Sequence, residues 1–243
     1  MIVRLLFVFG LLVTLLPAQE PAIIKTKFVT CALGALPDDF SAFYKTGETV
    51  EEFMVSAASL GIPINYQGPR RFILHKSKAD FAKPKDGEAP KPPLAWADLP
   101  EKSELVLLLC VPESEGKIRL LAYDISPKDL AAGDYKMFNF SHSTISVIMG
   151  KQKFTLAPGK QTLVKDDGWK TEVVALPFQI ATVVDNKPNL VYSSFWEHYP
   201  VRRNLMFMFD GVDESMPIMF NHYNAGFPTE RKAEESSSAS PAE

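Results

Sequence analysis

Residues 133–164 read GDYKMFNFSHSTISVIMGKQKFTLAPGKQTLV. Four runs rich in aromatic, β-branched and long apolar residues stand in this stretch: Tyr135–Phe140, Thr144–Met149, Lys153–Leu156 and Gln161–Lys165. Each is too short for a stable helix, and the first three stop at residues that bend the chain: Ser141-His142-Ser143, Gly150-Lys151-Gln152 and Pro158-Gly159. Short strands joined by tight turns are the economical reading.

The same rhythm continues in both directions. Toward the C-terminus, Asp166-Asp167-Gly168 reads as a turn before Trp169–Leu176; Phe178–Val184 and Leu190–Trp196 flank Asn186-Lys187-Pro188-Asn189; Asn204–Phe209 and Met216–Phe220 complete the series. Toward the N-terminus, Lys27–Leu33 alternates, and Arg70–His75 follows the turn-like Tyr66-Gln67-Gly68-Pro69. Glu104–Val111 is almost wholly apolar, the pattern of a central strand. Pro112–Gly116 is a polar turn, so Lys117–Asp124 returns as the second arm of a hairpin. The expected fold is mainly β, an antiparallel β-sandwich that is immunoglobulin-like in the broad sense, with at most one or two short helices.

One segment reads otherwise. Thr49 and Glu52 have the spacing of a capping box, and Val50, Phe53, Met54, Ala57, Ala58 and Leu60 share a helical face up to Gly61. Local signals favour a helix over 50–60; the β context favours a strand through Phe53, Val55 and Ala57. Residues 79–100 carry five prolines and three lysines and read as a long extended loop, pinned near its end by Trp96. Asp124–Gly133 is the best boundary between a half at 23–126 and a half at 127–227, although one sandwich of about 200 residues fits the same pattern. Residues 228–243, ending TERKAEESSSASPAE, hold no aromatic residue and read as a disordered tail.

Composition narrows function. The 243 residues hold 26 basic and 29 acidic side chains, a formal charge of −3, which argues against a nucleic-acid partner. At the N-terminus, Arg4 precedes an apolar run from Leu5 to Leu16, then Pro17 and Ala18. That is the order of a secretory signal peptide over residues 1–18, too short for a membrane span, so an exported, periplasmic or extracellular protein is expected, with no span after cleavage. In an oxidising compartment Cys31 and Cys110, both in strand-like runs, fit either an inter-sheet disulfide or two separate buried thiols.

Reactive chemistry has little local support. His75, His142, His198 and His222 show no metal-ligand spacing, and no metal or other cofactor is expected. No GxSxG or SxxK motif is present, and no Gly-rich phosphate loop. His142 lies between two serines, which reads as turn chemistry. The most suggestive cluster is Phe195-Trp196-Glu197-His198-Tyr199-Pro200 followed by Arg202-Arg203. Trp, Tyr and Arg dominate binding hot spots, so Trp196, His198, Tyr199, Arg202 and Arg203 are the candidate binding residues. The plainer reading packs this aromatic strand end on the core and leaves both arginines in water.

Gly133-Asp134-Tyr135, Asn139 and Pro158-Gly159 resemble the rhythm of many extracellular immunoglobulin-like and related β-sandwich modules. The resemblance spans about 30 residues, and the Cys…Trp…Cys pattern of immunoglobulin domains is not reproduced, so no site is carried over. The expectation is a non-enzymatic binding or structural module whose partner is an envelope protein or a glycan. The rivals are a carbohydrate-binding module using Trp196 and Tyr199, a hydrolase assembled from distant loops around His142 or His198, and an envelope subunit docking through the Pro/Lys loop.

Overall fold

The computed structural model describes residues 22–84, 87–165, 172–184, 187–213 and 216–226. The expected signal peptide, the Asp166–Gly168 turn and the tail from residue 228 lie outside the described residues. What is described is mainly β, with two short 3-10 turns, Lys78–Phe81 and Ser114–Gly116, and no α-helix.

Among the described residues, sixteen strands form three four-stranded sheets and two two-stranded ones. The first large sheet has the order β4-β1-β7-β8, built from β1 (Ile23–Ala32), β4 (Ile64–Pro69), β7 (Leu105–Pro112) and β8 (Ile118–Asp124). The second has the order β12-β9-β15-β16, from β9 (Tyr135–Asn139), β12 (Gln161–Val164), β15 (Asn204–Asp213) and β16 (Met216–Asn224). The third has the order β11-β10-β13-β14, from β10 (Ile145–Met149), β11 (Gln152–Leu156), β13 (Val174–Val184) and β14 (Lys187–His198). The small sheets are β2 (Phe43–Thr46) with β3 (Thr49–Glu52), and β5 (Arg71–Leu74) with β6 (Ala95–Asp98), joined by a bridge from Phe43 to His75.

Three apolar cores alternate with these sheets. Phe28, Tyr44, Phe53, Phe72, Leu108 and Leu120 build the first, between the small sheets and the β1/β7 sheet. Val29, Leu107, Leu109, Phe138, Leu205 and Phe207 build another, shared by the β1/β7 and β9/β15 sheets. Met137, Val147, Phe178, Ile180, Met206 and Met208 build the last, between the β9/β15 and β10/β13 sheets. The β1/β7 and β9/β15 sheets therefore bury both faces. That is why Leu105–Cys110, Tyr135–Asn139 and Asn204–Met208 are buried at every position rather than at alternate ones.

Several expectations are corrected. The strands are not all antiparallel: β1 pairs with β7, and β9 with β15, in parallel, and both pairs lie inside doubly covered sheets. Tyr135–Asn139 and Ile145–Met149 do not form a hairpin; they belong to different sheets, and the 141–143 turn carries the chain between them. Residues 50–60 are not a helix. Thr49–Glu52 is a strand, Phe53 drops into the aromatic core, and β1 takes the backbone groups that a helix needs for itself. Ala32 N–H donates to Ser56 C=O at 2.9 Å, Gly61 N–H to Thr30 C=O at 2.8 Å, and Thr30 Oγ1 to Met54 C=O at 2.7 Å. The Pro/Lys stretch is structured at both ends, by the 78–81 turn and by β6, and Lys91 Nζ reaches Asp80 at 2.8 Å. Tyr66–Pro69 is strand, not turn.

Both cysteines are free and buried. On the paired strands β1 and β7, Cys31 stands opposite Leu109, and Cys110 opposite Ala32. One step along a strand reverses the face, so Cys31 enters the core shared with β9/β15 and Cys110 enters the core under the small sheets. Of the two readings of these residues, the structure shows separate thiols. Burial pushes Cys31 up to about 11 and Cys110 up to about 12, which keeps both protonated and unreactive near neutrality.

Candidate functional site

The β13–β14 hairpin decides which members of the aromatic cluster meet solvent. Its register pairs Val174 with His198, Ala175 with Glu197, Leu176 with Trp196 and Pro177 with Phe195. Side chains alternate along a strand, so the even positions here turn inward and the odd ones outward.

The inward set is structural. Trp196 packs its ring 5.0 Å from Phe178, 5.8 Å from Phe220 and 4.8 Å from His222, and its indole N–H reaches Tyr192 Oη at 3.3 Å. His198 is fully buried, with Nδ1 at 3.1 Å from the Tyr135 hydroxyl. Arg203 is also buried. His198 and Arg203 are therefore interior residues, and Trp196 is half-buried with its ring packed against the core.

The outward set makes a continuous surface. Ala175 and Pro177 project from β13, Phe195 and Glu197 project from β14, and the exposed Val173 precedes β13. Phe195 is 73% exposed, the inverse of its neighbour's fate. Just beyond the strand, the Tyr199 hydroxyl donates to Glu197 Oε2 at 2.6 Å, and the Arg202 guanidinium lies 3.7 Å above the Tyr199 ring. The adjacent carboxylate raises the Tyr199 pKa, chiefly through that hydrogen bond. Of the five candidate residues, Tyr199 and Arg202 thus reach the surface. Phe195, quoted in the cluster but not chosen, joins them. The missed signal was parity: a strand presents 195 and 197 together, and never 195 with 196.

A polar layer holds the turn from beneath. Asn204 Nδ2 donates to the carbonyls of Asp134 at 3.3 Å and Arg202 at 3.2 Å. Its Oδ1 is thereby left to accept from His222 Nε2 at 2.9 Å, which assigns the proton of the neutral ring to that nitrogen. Part of His222 reaches solvent, yet desolvation of the ring beside Trp196 and the charge of Arg202 push it down to about 4. The residues under Arg202 and Tyr199 are fixed on both sides, so the surface above them is pre-organised.

His142 also finds an acid that sequence did not pair with it. Its Nδ1 lies 2.5 Å from Asp210 Oδ2, and its backbone N–H donates to Asp210 Oδ1 at 3.0 Å. The imidazole side chain is 96% exposed. The neighbouring Ser141 hydroxyl is buried and donates to Asn139 Oδ1 at 2.6 Å, so it is spent on the turn. The pair orients one exposed imidazole. Among the described residues no group of three or more His, Cys, Asp or Glu has the arrangement of a metal centre. No known protein family matches this chain, and no curated protein matches it either.

Proposed function

We propose that this chain is an exported, non-enzymatic β-sandwich protein of the cell envelope or extracellular space, a binding or structural module that meets its partner through the outward face of the β13–β14 hairpin. One observation carries the reading: Phe195 stands exposed on the same strand face as Glu197, the Tyr199 hydroxyl just past the strand end is tied to Glu197, and Arg202, whose carbonyl is held by Asn204, lies on the tyrosine ring. An aromatic and an arginine on a rigid support are the composition of an interface centre. Apolar cores lying between successive sheets support the sandwich reading. Arg4, the apolar run to Leu16, and Ala18 support export. A glycan partner is less well served: the Trp196 ring faces inward, and the guanidinium covers one face of Tyr199.

The test uses the silent native thiols. A Phe195→Cys variant labelled with a benzophenone maleimide reacts at one position, because Cys31 and Cys110 are buried. Irradiation of envelope fractions should give a discrete cross-linked partner from position 195 and none from a Lys153→Cys control on the opposite edge strand of the same sheet. Identical patterns from both positions would remove the face from consideration.

A further inference from the structure

We propose that the binding face takes an extended acidic peptide, added as a strand along the Tyr192–His198 part of β14 and anchored by a carboxylate on Arg202. The proposal rests on the binding-face reading above and names the partner's chemistry.

β14 is the outermost strand of its sheet, so one edge of its backbone faces no other described strand of that sheet. Such an edge is a template for strand addition. The first part of the edge is blunted. It carries Lys187 and Pro188, and the register slips between Ile180 and Ala181 so that Val191 has no partner of its own. From Tyr192 to His198 the pairing runs without a break, seven residues spanning about 23 Å at a strand's usual rise. That length suits a short extended segment and not a whole sheet.

Arg202 supplies the charge preference. The exposed arginines Arg70, Arg71 and Arg119 each pair with a carboxylate, at 2.6 Å to Glu101, 3.1 Å to Asp98 and 3.2 Å to Glu113. Among the described residues, no carboxylate lies within ion-pair distance of Arg202; its guanidinium is held by the Tyr199 ring alone. A guanidinium resting on a ring face keeps its N–H edge for a planar anion, the geometry that favours bidentate carboxylate binding. Glu197 limits where that anion sits. Its carboxylate accepts from the Tyr199 hydroxyl and repels an acid placed beside it on the strand. The acidic group must therefore lie past the strand end, next to Arg202, while an apolar side chain of the added strand covers Phe195. The expected ligand is apolar at alternate positions, with its acid at one end.

The test is selection of a random heptapeptide library on the immobilised full-length protein, followed by affinity measurement for the winners. Peptides with an acidic residue at one terminus and apolar residues at alternate positions should be enriched. Arg202→Gln should weaken them about tenfold, the scale of one charge-assisted contact. Phe195→Ser should weaken them as well, and Lys153→Gln should leave them unchanged. No enrichment, or winners without an acid, overturns the peptide proposal. If Phe195→Ser abolishes binding but Arg202→Gln does not, the face stands and the acidic anchor is lost. If neither variant matters, both readings fail. Arg202-dependent binding of polygalacturonate in place of any peptide assigns the anchor to an acidic glycan and overturns the peptide occupant.

Discussion

His222 sits where the binding face meets the core, with its ring against Trp196 and its Nε2 proton on Asn204. A histidine near 6.5 in the unfolded chain and pushed down to about 4 in the folded one makes the fold acid-sensitive, to an extent that His222's exposure to solvent reduces. Above pH 6.5 both states are neutral and the residue adds no pH dependence. Between 6.5 and 4 the unfolded chain takes up the proton and the folded chain does not, so stability falls as pH falls; below 4 both are charged and the loss stops growing. His222→Gln keeps a donor for Asn204 and removes the titration. Melting temperatures followed from pH 7.5 to 4 should therefore decline less for the variant than for the native chain. Parallel curves across that window are the outcome that rejects the assignment. Asp124 acts at lower pH. Burial opposes its ionisation, but hydrogen bonds from the Ser126 hydroxyl and amide and the Ser103 hydroxyl prevail and lower its pKa.

Among the elements, the β15–β16 hairpin carries the sharpest steric demand. The register shifts between Asp210 and Asp213, and a Cβ at Gly211 would run into the carbonyl of Met216 on the partner strand. Glycine is needed here for close approach of two backbones, not for a left-handed turn. Gly211→Ala should cost about 1–3 kcal/mol, the usual range for overpacking, read from urea unfolding; an unchanged midpoint would show that the strands separate freely. The strands that sequence displays most clearly, such as β7, β9 and β15, are those buried on both faces and therefore apolar at most positions. Residues 49–60 misled because their helical spacing is genuine, yet β1 offers their backbone better partners and Phe53 is worth more in the aromatic core than on a helix face. At the candidate face, residue types were legible and orientation was not. Trp196 and Phe195 are equal as aromatic residues in a string of letters, and only pairing to Leu176 and Pro177 assigns one to the core and the other to solvent. The His142–Asp210 contact was invisible for a different reason: 68 positions separate the partners, and nothing local signals their meeting.

At the scale of the whole molecule, the core shared by the β1/β7 and β9/β15 sheets joins what sequence divided near Asp124–Gly133. Val29, Leu107 and Leu109 come from one side of that boundary and Phe138, Leu205 and Phe207 from the other, while Ile125 and Leu130 in the connecting segment fill the same core. Lys136, buried on β9, clamps the connection by donating to the Asp124 carbonyl at 2.6 Å and pairing with Asp129 at 3.3 Å. Halves that bury so much surface against each other gain little by folding separately, because each alone would expose a sheet face built of leucine, valine and phenylalanine. Phe207 is the informative residue: its ring is stacked 5.0 Å from Phe138, and it is fully buried. Phe207→Ala should destabilise by about 3–5 kcal/mol, and the loss should register on both sides of the boundary. Hydrogen exchange followed by mass spectrometry in increasing denaturant should show Leu105–Pro112 and Val174–Val184 losing protection together, and both at lower denaturant in the variant. Protection retained in the first segment after the second has opened would mean that the shared core does not couple the halves and that the chain folds as two independent units.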